Sequence, residues 1–447
     1  MDLTKDIQHF YFLGIGGIGM SALARYFHCR GYQVSGYDRT PSPLTHELEA
    51  EHIAISYEDD VETVKDLLRA NTLVVRTPAV PEDSAIYTYL REQGFTIYKR
   101  AEVLGIVTRQ MKALCVAGTH GKTTTSTLMA HLMQCNAFLG GISMNYDTNL
   151  LLNKESDLVV VEADEYDRSF HHLTPYMSVV TAVDADHLDI YGTAEAYRDA
   201  FAHYTSLITG ALVMKKGIAL QPRLQPGVKC YTYSMTEPAD FYADNIRVAD
   251  GQIRFDFHTP SETLTDLLLG VPVWVNIENA VAAMAVAWLN GVTADSLRSG
   301  LASFRGVLRR FNIHVNTPKV AYIDDYAHHP QEIATAIDSI RRLYPERKLI
   351  GVFQPHLYTR TRDFAAGFTK VLGTLDECIL LPIYPARELP IPGVTSEMLG
   401  GQVVQKKDLV AELKKRAAQA TQPIVILTVG AGDIDRLVPD ITNALNE

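Results

Sequence analysis

Cysteines are scarce in this sequence and give no sign of a disulfide or metal framework. The chain of 447 residues contains five, widely separated and without paired spacing. An odd, scattered set argues against disulfides and suits a reducing compartment. Long apolar runs are also missing: the longest with helical character, Ala280–Leu289, is far below the ~18–20 residues of a membrane span. The start shows no basic segment followed by an apolar one. We therefore expect a soluble, cytoplasmic protein that does not bind membranes.

Excess positive charge is the third absence. The 41 lysines and arginines are outnumbered by 52 aspartates and glutamates, which gives a net charge of −11. This balance disfavours nucleic acid as a partner, but it leaves small anionic ligands open because these need only local positive groups. Hydrophobic residues make up 47% of the chain, as in ordinary globular proteins. At roughly 150 residues per domain, the length predicts about three domains.

Short apolar, β-branched runs alternate with helical patterns in three successive blocks. Such alternation predicts an α/β fold of three domains, each built on a mostly parallel sheet with flanking helices. The region Val228–Phe257 alternates more loosely, and we expect an antiparallel excursion there. Clear strand candidates are Phe10–Leu13, Thr72–Arg76, Met111–Ala117, Asp157–Glu162, Lys319–Ile323, Leu349–Phe353 and Ile424–Val429. The predicted domain boundaries are 1–108, 109–312 and 313–447.

A first glycine loop follows the first strand. Gly14, Gly16 and Gly19 fit the pattern G-x-G-x-x-G between a strand and a helix. Glycines let the backbone approach a pyrophosphate, and the helix N-terminus supplies N–H donors. Asp38 lies 19 residues after Gly19, about where a ribose-binding acid belongs. The loop favours a nucleotide pyrophosphate site, with a merely tight strand–helix turn as the alternative.

A second loop, Gly118-Thr-His-Gly-Lys-Thr-Thr-Thr125, also lies between a strand and a helix. Its glycines let backbone amides wrap phosphates, Lys122 can reach the β- and γ-phosphates, and Thr123 can offer a hydroxyl to Mg²⁺. The loop departs from G-x-x-x-x-G-K-[ST], because Val116 stands where the first glycine belongs. We expect a phosphate loop two residues tighter than usual, with a chance Gly-Lys-Thr turn as the alternative.

Acidic and basic groups follow several later strands. The segments Glu162–Asp167 and Asp184–Asp189 place carboxylates where a parallel sheet would hold Mg²⁺ beside a phosphate loop, unless they are solvated acidic loops. In the third block, Asp324–Pro330 and Phe353–Arg360 bring histidines and an arginine to predicted strand ends. With the neighbouring arginines they indicate a cationic patch for a carboxylate or phosphate.

Together these motifs resemble the Mur ligase family of peptidoglycan synthesis, over essentially the whole chain. The resemblance implies Rossmann-like domains at both ends and a central P-loop ATPase domain. It also implies that the first glycine loop binds the pyrophosphate of a UDP-sugar rather than a dinucleotide. The matching segments are Gly14–Gly19, Ala117–Thr125, Glu162–Asp167, Asp186–Gly192, Phe304–Phe311, Asp324–Pro330, Phe353–Thr361, Tyr384–Ala386 and Gly430–Asp433.

The reaction implied by the resemblance is ATP-dependent amide formation. The lactyl carboxylate of UDP-N-acetylmuramate attacks the γ-phosphorus of ATP, and L-alanine then attacks the resulting acyl phosphate and releases phosphate. Phosphorylation is needed because a carboxylate is a poor electrophile, and catalysis consists mainly of positioning and charge neutralisation. The implied cofactors are ATP and Mg²⁺, with two ions. We expect a monomer or weak homodimer.

The resemblance also implies roles for individual residues. Lys122, His187, His328 and Arg360 would be catalytic, and Thr123, Glu162 and His187 would hold metal. The sugar carboxylate and the amino acid would meet Tyr326, His328, His356 and Arg360. The UDP-sugar would contact Gly14, Gly16, Gly17, Gly19, Asp38 and Thr77. ATP would contact Gly118, Thr119, His120, Gly121, Lys122, Thr123, Thr124, Asn279, Arg310 and Asp325.

Some positions depart from the family pattern. Val275 replaces a histidine in the segment that ends at Asn279, and Leu357 stands where relatives often carry arginine. No lysine occurs from Leu188 to Met214, so we expect no carbamoylated lysine of the kind found in several sister ligases. Three alternative functions remain: a recycling ligase that adds a preformed tripeptide, a non-catalytic UDP-sugar sensor, and a dehydrogenase that uses the first glycine loop. The last leaves the second loop unexplained.

Overall fold

The structure, a computed structural model, describes residues 6–185, 188–249, 251–386 and 388–446, with Leu188 and Asp189 described by their backbone only. The chain divides into two compact units. The first comprises the described residues of Met1–Asp244, Phe257–Leu264 and Asn279–Ser303, and the second those of Asn245–Asp256, Thr265–Glu278 and Phe304–Glu447. Within the described part of the chain, no helix is long and apolar enough to cross a membrane.

The N-terminal sheet has five strands in the order β3-β2-β1-β4-β5, and all its pairings are parallel. Every residue of the middle strand β1 is buried, as expected for a strand covered on both faces. A short 3-10 turn spans Val61–Thr63. The other elements are β1 (His9–Leu13), α1 (Ile18–Cys29), β2 (Gln33–Tyr37), α2 (Pro43–Ala50), β3 (Ala54–Ser56), β4 (Thr72–Arg76), α3 (Ala85–Glu92), β5 (Thr96–Lys99) and α4 (Arg100–Thr108).

The central sheet has ten strands in the order β15-β14-β13-β12-β11-β10-β6-β9-β7-β8. Strand β6 pairs in parallel with both β9 and β10, so the ends of three adjacent strands share one edge. A 3-10 segment spans Tyr166–His172. The other elements are β6 (Lys112–Ala117), α5 (Lys122–Met133), β7 (Asn136–Ser143), β8 (Thr148–Leu151), β9 (Leu158–Ala163), β10 (Pro175–Val180), α6 (Leu188–Tyr191), α7 (Ala194–Thr205), β11 (Ala211–Lys215), β12 (Lys229–Ser234), β13 (Phe241–Ala249), β14 (Gln252–His258), β15 (Thr263–Leu268), α8 (Trp274–Leu289) and α9 (Ala294–Ser303).

The C-terminal sheet has six strands in the order β16-β17-β21-β18-β19-β20. Only the pairing of β16 with β17 is antiparallel among those described. The 3-10 turns are Ser396–Leu399 and Asp433–Leu437. The other elements are β16 (Asn312–Asn316), β17 (Val320–Asp325), α10 (Pro330–Leu343), β18 (Lys348–Phe353), α11 (Tyr358–Asp363), α12 (Ala365–Leu372), β19 (Glu377–Leu380), β20 (Gln402–Val403), α13 (Lys406–Gln419), β21 (Ile424–Val429) and α14 (Val438–Asn446).

These sheets confirm the predicted α/β fold with three domains built on mostly parallel sheets. Two strands, Thr72–Arg76 and Ile424–Val429, have the bounds read from the sequence. The antiparallel excursion predicted for Val228–Phe257 is wrong for β12, which pairs in parallel with β11 and with β13. Alternation of side chains marks a half-buried strand but carries no information on the direction of its neighbour.

Candidate active site

The first glycine loop turns the chain from β1 into α1. Gly14 has φ +85°, which favours glycine, and a side chain there would collide with Thr77. The N–H groups of Gly14 and Ile15 both donate to the carbonyl of Tyr37, at 2.8 and 3.0 Å. Helix α1 begins directly after Gly17, so its first N–H groups line the turn. This is the strand–loop–helix arrangement that binds phosphate groups.

Asp38 holds the loop through the backbone. Its Oδ2 accepts from the N–H of Gly16 at 2.8 Å and its Oδ1 from the N–H of Thr40 at 3.2 Å. Helix α1 is held by Asn149 of the central domain. The Asn149 side chain donates to the carbonyl of Ile18 at 2.6 Å and accepts from Arg25 at 2.7 Å. The loop and the first turn of α1 are therefore fixed by hydrogen bonds from two domains of the first unit.

The second glycine loop leads from β6 into α5. Gly118 has φ +137° and Gly121 has φ +79°, both in the region that favours glycine. A Cβ on Gly118 would collide with Thr181, and one on Gly121 would lie 2.6 Å from Oδ1 of Asn279. Asn279 Oδ1 also accepts from the hydroxyl of Thr125 at 3.2 Å. The predicted ATP contact Asn279 thus packs against the loop, and neither glycine tolerates a side chain.

The loop is tied to the neighbouring strand end by hydroxyl groups. Thr119 donates to the carbonyl of Asp184 at 2.8 Å and lies 3.0 Å from the hydroxyl of Tyr197. The carbonyl of His120 accepts from Thr181 Oγ1 at 2.5 Å. Thr124 lies in the first turn of α5. All the residues predicted in this loop therefore lie at the edge shared by β6, β9 and β10.

Lys122 makes an ion pair that the sequence analysis did not assign. Its Nζ donates to the carbonyl of Gly118 at 2.6 Å and lies 2.9 and 2.8 Å from the two carboxylate oxygens of Glu165. The side chains are 13% and 2% exposed. An ammonium held against the phosphate loop by a buried carboxylate is already oriented for a phosphoryl group.

Thr123 and Glu162, which the sequence predicts as magnesium ligands, contact each other. The hydroxyl of Thr123 donates to Glu162 Oε2 at 3.0 Å, so two oxygen ligands lie side by side. Gly140 on β7 makes room for the carboxylate, because a Cβ there would collide with it. No cluster of three or more carboxylate, histidine or cysteine ligands occurs in the described ranges. Two protein oxygens fit Mg²⁺, which usually completes its shell with phosphates and water. The third predicted ligand, His187, lies outside the described residues.

In the second unit, two aspartates end strand β17: Asp324 is buried and Asp325 is partly buried. Burial raises the pKa of Asp324 and that of Asp325 to about 6, against the opposing charges of Arg309 and Arg310 respectively. Asp325 accepts from the backbone N–H groups of Phe311 and Ala327, at 2.8 and 2.7 Å. The predicted ATP contact Asp325 therefore also anchors the chain around it.

Tyr326 and His328 follow these aspartates. The guanidinium carbons of Arg309 and Arg310 lie 4.9 and 5.3 Å from the centre of the Tyr326 ring. The ring of His328 packs edge-on against Tyr326 at 5.2 Å, and its Nδ1 lies 3.0 Å from the Tyr326 carbonyl. The structure thus brings together three predicted residues, Arg310, Tyr326 and His328.

His356 and Arg360 complete the same group. The centre of the His356 ring lies 6.5 Å from that of His328 and 5.8 Å from that of Tyr384, on which it stacks. Arg360 Nη1 lies 3.5 Å from His356 Nδ1. Burial, and then the charge of Arg360, lower the pKa of His356 to about 4, so it is neutral at neutral pH. Leu357, where family members often carry arginine, has φ +69°, which is strained for leucine.

Comparison with known proteins identifies the family. The catalytic domain of the Mur ligase family matches residues 9–112. The Mur ligase middle domain matches 116–287, and the glutamate ligase domain of Mur ligases matches 309–432. A UDP-N-acetylmuramate–L-alanine ligase of Parabacteroides distasonis is 56% identical over 100% of this chain and 98% of its own length. The chain belongs to the Mur ligase family.

Solved structures of Mur ligases agree with this assignment. The UDP-N-acetylmuramate–alanine ligase of Thermotoga maritima has a TM-score of 0.82 at 26% identity and covers 98% of this chain and 99% of its own. A murein peptide ligase from Psychrobacter arcticus has a TM-score of 0.68 at 20% identity, with the same coverage. At that identity the second similarity concerns the fold alone.

Sequence reasoning missed three residues of this Mur ligase site. Glu165 pairs with Lys122, Glu332 contacts His328, and Tyr384 stacks on His356. Glu332 carried a signal, because a glutamate three positions after a helix-capping residue is typical of a capping box. Glu165 and Tyr384 lie in segments that resemble the family, but nothing in the sequence indicates the partner of either.

Proposed function

We propose that this Mur ligase joins L-alanine to the lactyl carboxylate of UDP-N-acetylmuramate at the expense of ATP. The full-length identity of 56% to a UDP-N-acetylmuramate–L-alanine ligase carries this proposal. The site supports it, because one unit contains a pyrophosphate-type loop and a phosphate loop with an oriented lysine. A ligase that activates the carboxylate of a UDP-sugar with ATP needs a binding site for each of the two.

We assign the phosphoryl transfer step to the second glycine loop. The lactyl carboxylate attacks the γ-phosphorus, a P–O bond forms, and ADP leaves. We assign the stabilisation of the transferring group to Lys122 and the ATP contacts to the loop residues, Asn279, Arg310 and Asp325. Thr123 and Glu162 would hold Mg²⁺, which supplies neutralisation of phosphate charge when bound; a second ion and His187 remain part of the proposal.

We assign the amide-forming step to the residues around His328 and His356. The amine lone pair of L-alanine attacks the acyl carbon, the C–O bond to phosphate breaks, and inorganic phosphate leaves. The ammonium must first lose a proton, and we assign its acceptor to His328, with Arg360 binding the carboxylate and Tyr326 and His356 lining the amino acid. Burial lowers the pKa of His328, which keeps its imidazole able to accept a proton at neutral pH.

The UDP-sugar is assigned to the first glycine loop. Its pyrophosphate would lie against the turn formed by Gly14, Gly16, Gly17 and Gly19 at the N-terminus of α1, with Asp38 and Thr77 shaping the turn. We further propose domain boundaries at 1–108, 109–312 and 313–447, a cytoplasmic location, and a monomer or weak homodimer without nucleic acid or membrane partners.

The rival function within the family is that of a ligase for a preformed tripeptide. The two are separated by measuring ADP release in the presence of UDP-N-acetylmuramate, with L-alanine, L-serine, glycine or tripeptide as the second substrate. We expect release with L-alanine, and mass spectrometry should find the UDP-sugar heavier by one alanine residue. Release with tripeptide and not with L-alanine would assign the recycling function, and release with neither would favour a sensor.

A further inference from the structure

Glu332 lies in the first turn of helix α10 and faces His328. Its Oε2 accepts from the backbone N–H of His328 at 2.9 Å and from that of His329 at 3.2 Å. The same oxygen lies 3.5 Å from Nδ1 of the His328 ring. A capping role explains the two backbone contacts, but it does not require the approach to the imidazole.

The contacts of His328 decide which of its ring nitrogens carries the proton. Nδ1 lies 3.0 Å from the carbonyl of Tyr326, an oxygen that can only accept a hydrogen bond. A neutral imidazole must therefore be protonated at Nδ1, and the negative charge of Glu332, 3.5 Å away, further favours this tautomer. Among the described residues, Nε2 has no hydrogen-bond partner, so its lone pair is available to an incoming proton.

Glu332 is negatively charged, whereas the other charged side chains that act on His328 are arginines. Burial has the largest effect on the pKa of His328 and lowers it; Glu332 and the Tyr326 carbonyl raise it, and Arg360 and Arg310 lower it. The remaining facing groups are the phenol ring of Tyr326 and the neutral imidazole of His356. Although burial raises the pKa of Glu332, His328 and the capped N–H groups bring it below its usual value, so the carboxylate is ionised.

We propose that Glu332 is a positioning residue for amide formation: its negative charge helps the Tyr326 carbonyl to hold the proton of His328 on Nδ1, which leaves the Nε2 lone pair for the ammonium group of the amino acid. This inference rests on the proposed function, because it needs an amine substrate. It assigns the acid–base pair as Glu332 and His328, an arrangement in which a carboxylate orients and supports an imidazole base.

The test replaces Glu332 with glutamine. The amide oxygen of Glu332→Gln still accepts from both backbone N–H groups, so the helix cap is kept while the charge is lost. Histidine NMR of isotope-labelled enzyme, with His328→Gln used to assign the signal, measures the pKa of His328 directly. Loss of a negative charge 3.5 Å away should lower it by about one pH unit. Turnover with L-alanine should fall about tenfold or more, with KM for ATP and for the UDP-sugar unchanged.

Hydroxylamine provides the matched control. It is a small nucleophile that is already neutral at neutral pH, so it attacks the acyl phosphate without a base. We expect Glu332→Gln and wild-type enzyme to form hydroxamate at equal rates, and Glu332→Asp to recover part of the turnover with L-alanine. An unchanged His328 pKa, or equal losses with both nucleophiles, would overturn the proposal and leave Glu332 as a helix cap. Absence of any turnover in the wild type would instead refute the proposed function. The NMR measurement would still show whether Glu332 acts on the pKa of His328.

Discussion

Replacing Lys122 with alanine tests whether one lysine serves both stability and chemistry. Lys122 lies 2.8 Å from a carboxylate oxygen of Glu165, and the side chains are only 13% and 2% exposed. Removing the ammonium leaves a buried carboxylate without its partner. Breaking such a pair costs about 3–5 kcal/mol. We take the lower end, about 3 kcal/mol, because Lys122 keeps some contact with water.

The loss should appear in the melting temperature. At about 2 °C per kcal/mol for a domain of this size, Lys122→Ala should melt roughly 6 °C below wild type. Scanning calorimetry measures this difference.

A double variant separates the two roles. Lys122→Ala with Glu165→Gln removes the buried charge as well, so most of the lost stability should return, while ADP formation should be absent in both variants. UDP-sugar binding, measured by calorimetric titration, should persist because the first glycine loop is untouched. ADP formation by Lys122→Ala would remove this lysine from the mechanism. An unchanged melting temperature would refute the buried ion pair.

Three further substitutions test other parts of the site. Gly121→Ala places a Cβ 2.6 Å from Asn279 Oδ1 at a residue with φ +79°. KM for ATP should therefore rise about tenfold in a steady-state assay, and an unchanged KM would show that the loop relaxes. Asp38→Ala removes the acceptor of the Gly16 N–H and should raise KM for the UDP-sugar about fivefold, but not that for ATP; equal increases would point to general damage. The pKa of His356, about 4 when folded and 6.5 as its ordinary value, predicts that stability is lost as the pH falls from about 6.5 toward 4. His356→Gln should lose about 2 kcal/mol less than wild type between pH 7 and pH 5 by calorimetry, and parallel curves would contradict the assignment.

The parts of the site that the sequence predicted are local. Each glycine loop lies within a few residues of a strand and a helix, and the glycine positions reflect backbone angles that other residues avoid. Glu162 lies at the end of β9 and His328 follows β17, and parallel strands bring such ends to one edge. The same logic predicts strands with the observed bounds, such as Thr72–Arg76.

The parts that the sequence did not predict depend on distant packing. Lys122 and Glu165 are 43 residues apart, and only the course of the chain after β9 brings the carboxylate to the ammonium. Tyr384 follows the C-terminal end of β19, and its ring stacks on the ring of His356. The parallel pairing of β12 depends on the chain connection before it, which alternation does not encode. Charge pairs and strand directions of this kind are tertiary properties.

The central claim, activation of the lactyl carboxylate as an acyl phosphate, can be tested with an isotope. UDP-N-acetylmuramate labelled with oxygen-18 in both oxygens of the lactyl carboxylate is turned over with ATP and L-alanine, and the released phosphate is analysed by mass spectrometry. Attack of the carboxylate on the γ-phosphorus predicts one labelled oxygen in each phosphate, with the other retained in the new amide. Unlabelled phosphate together with amide product would contradict the account.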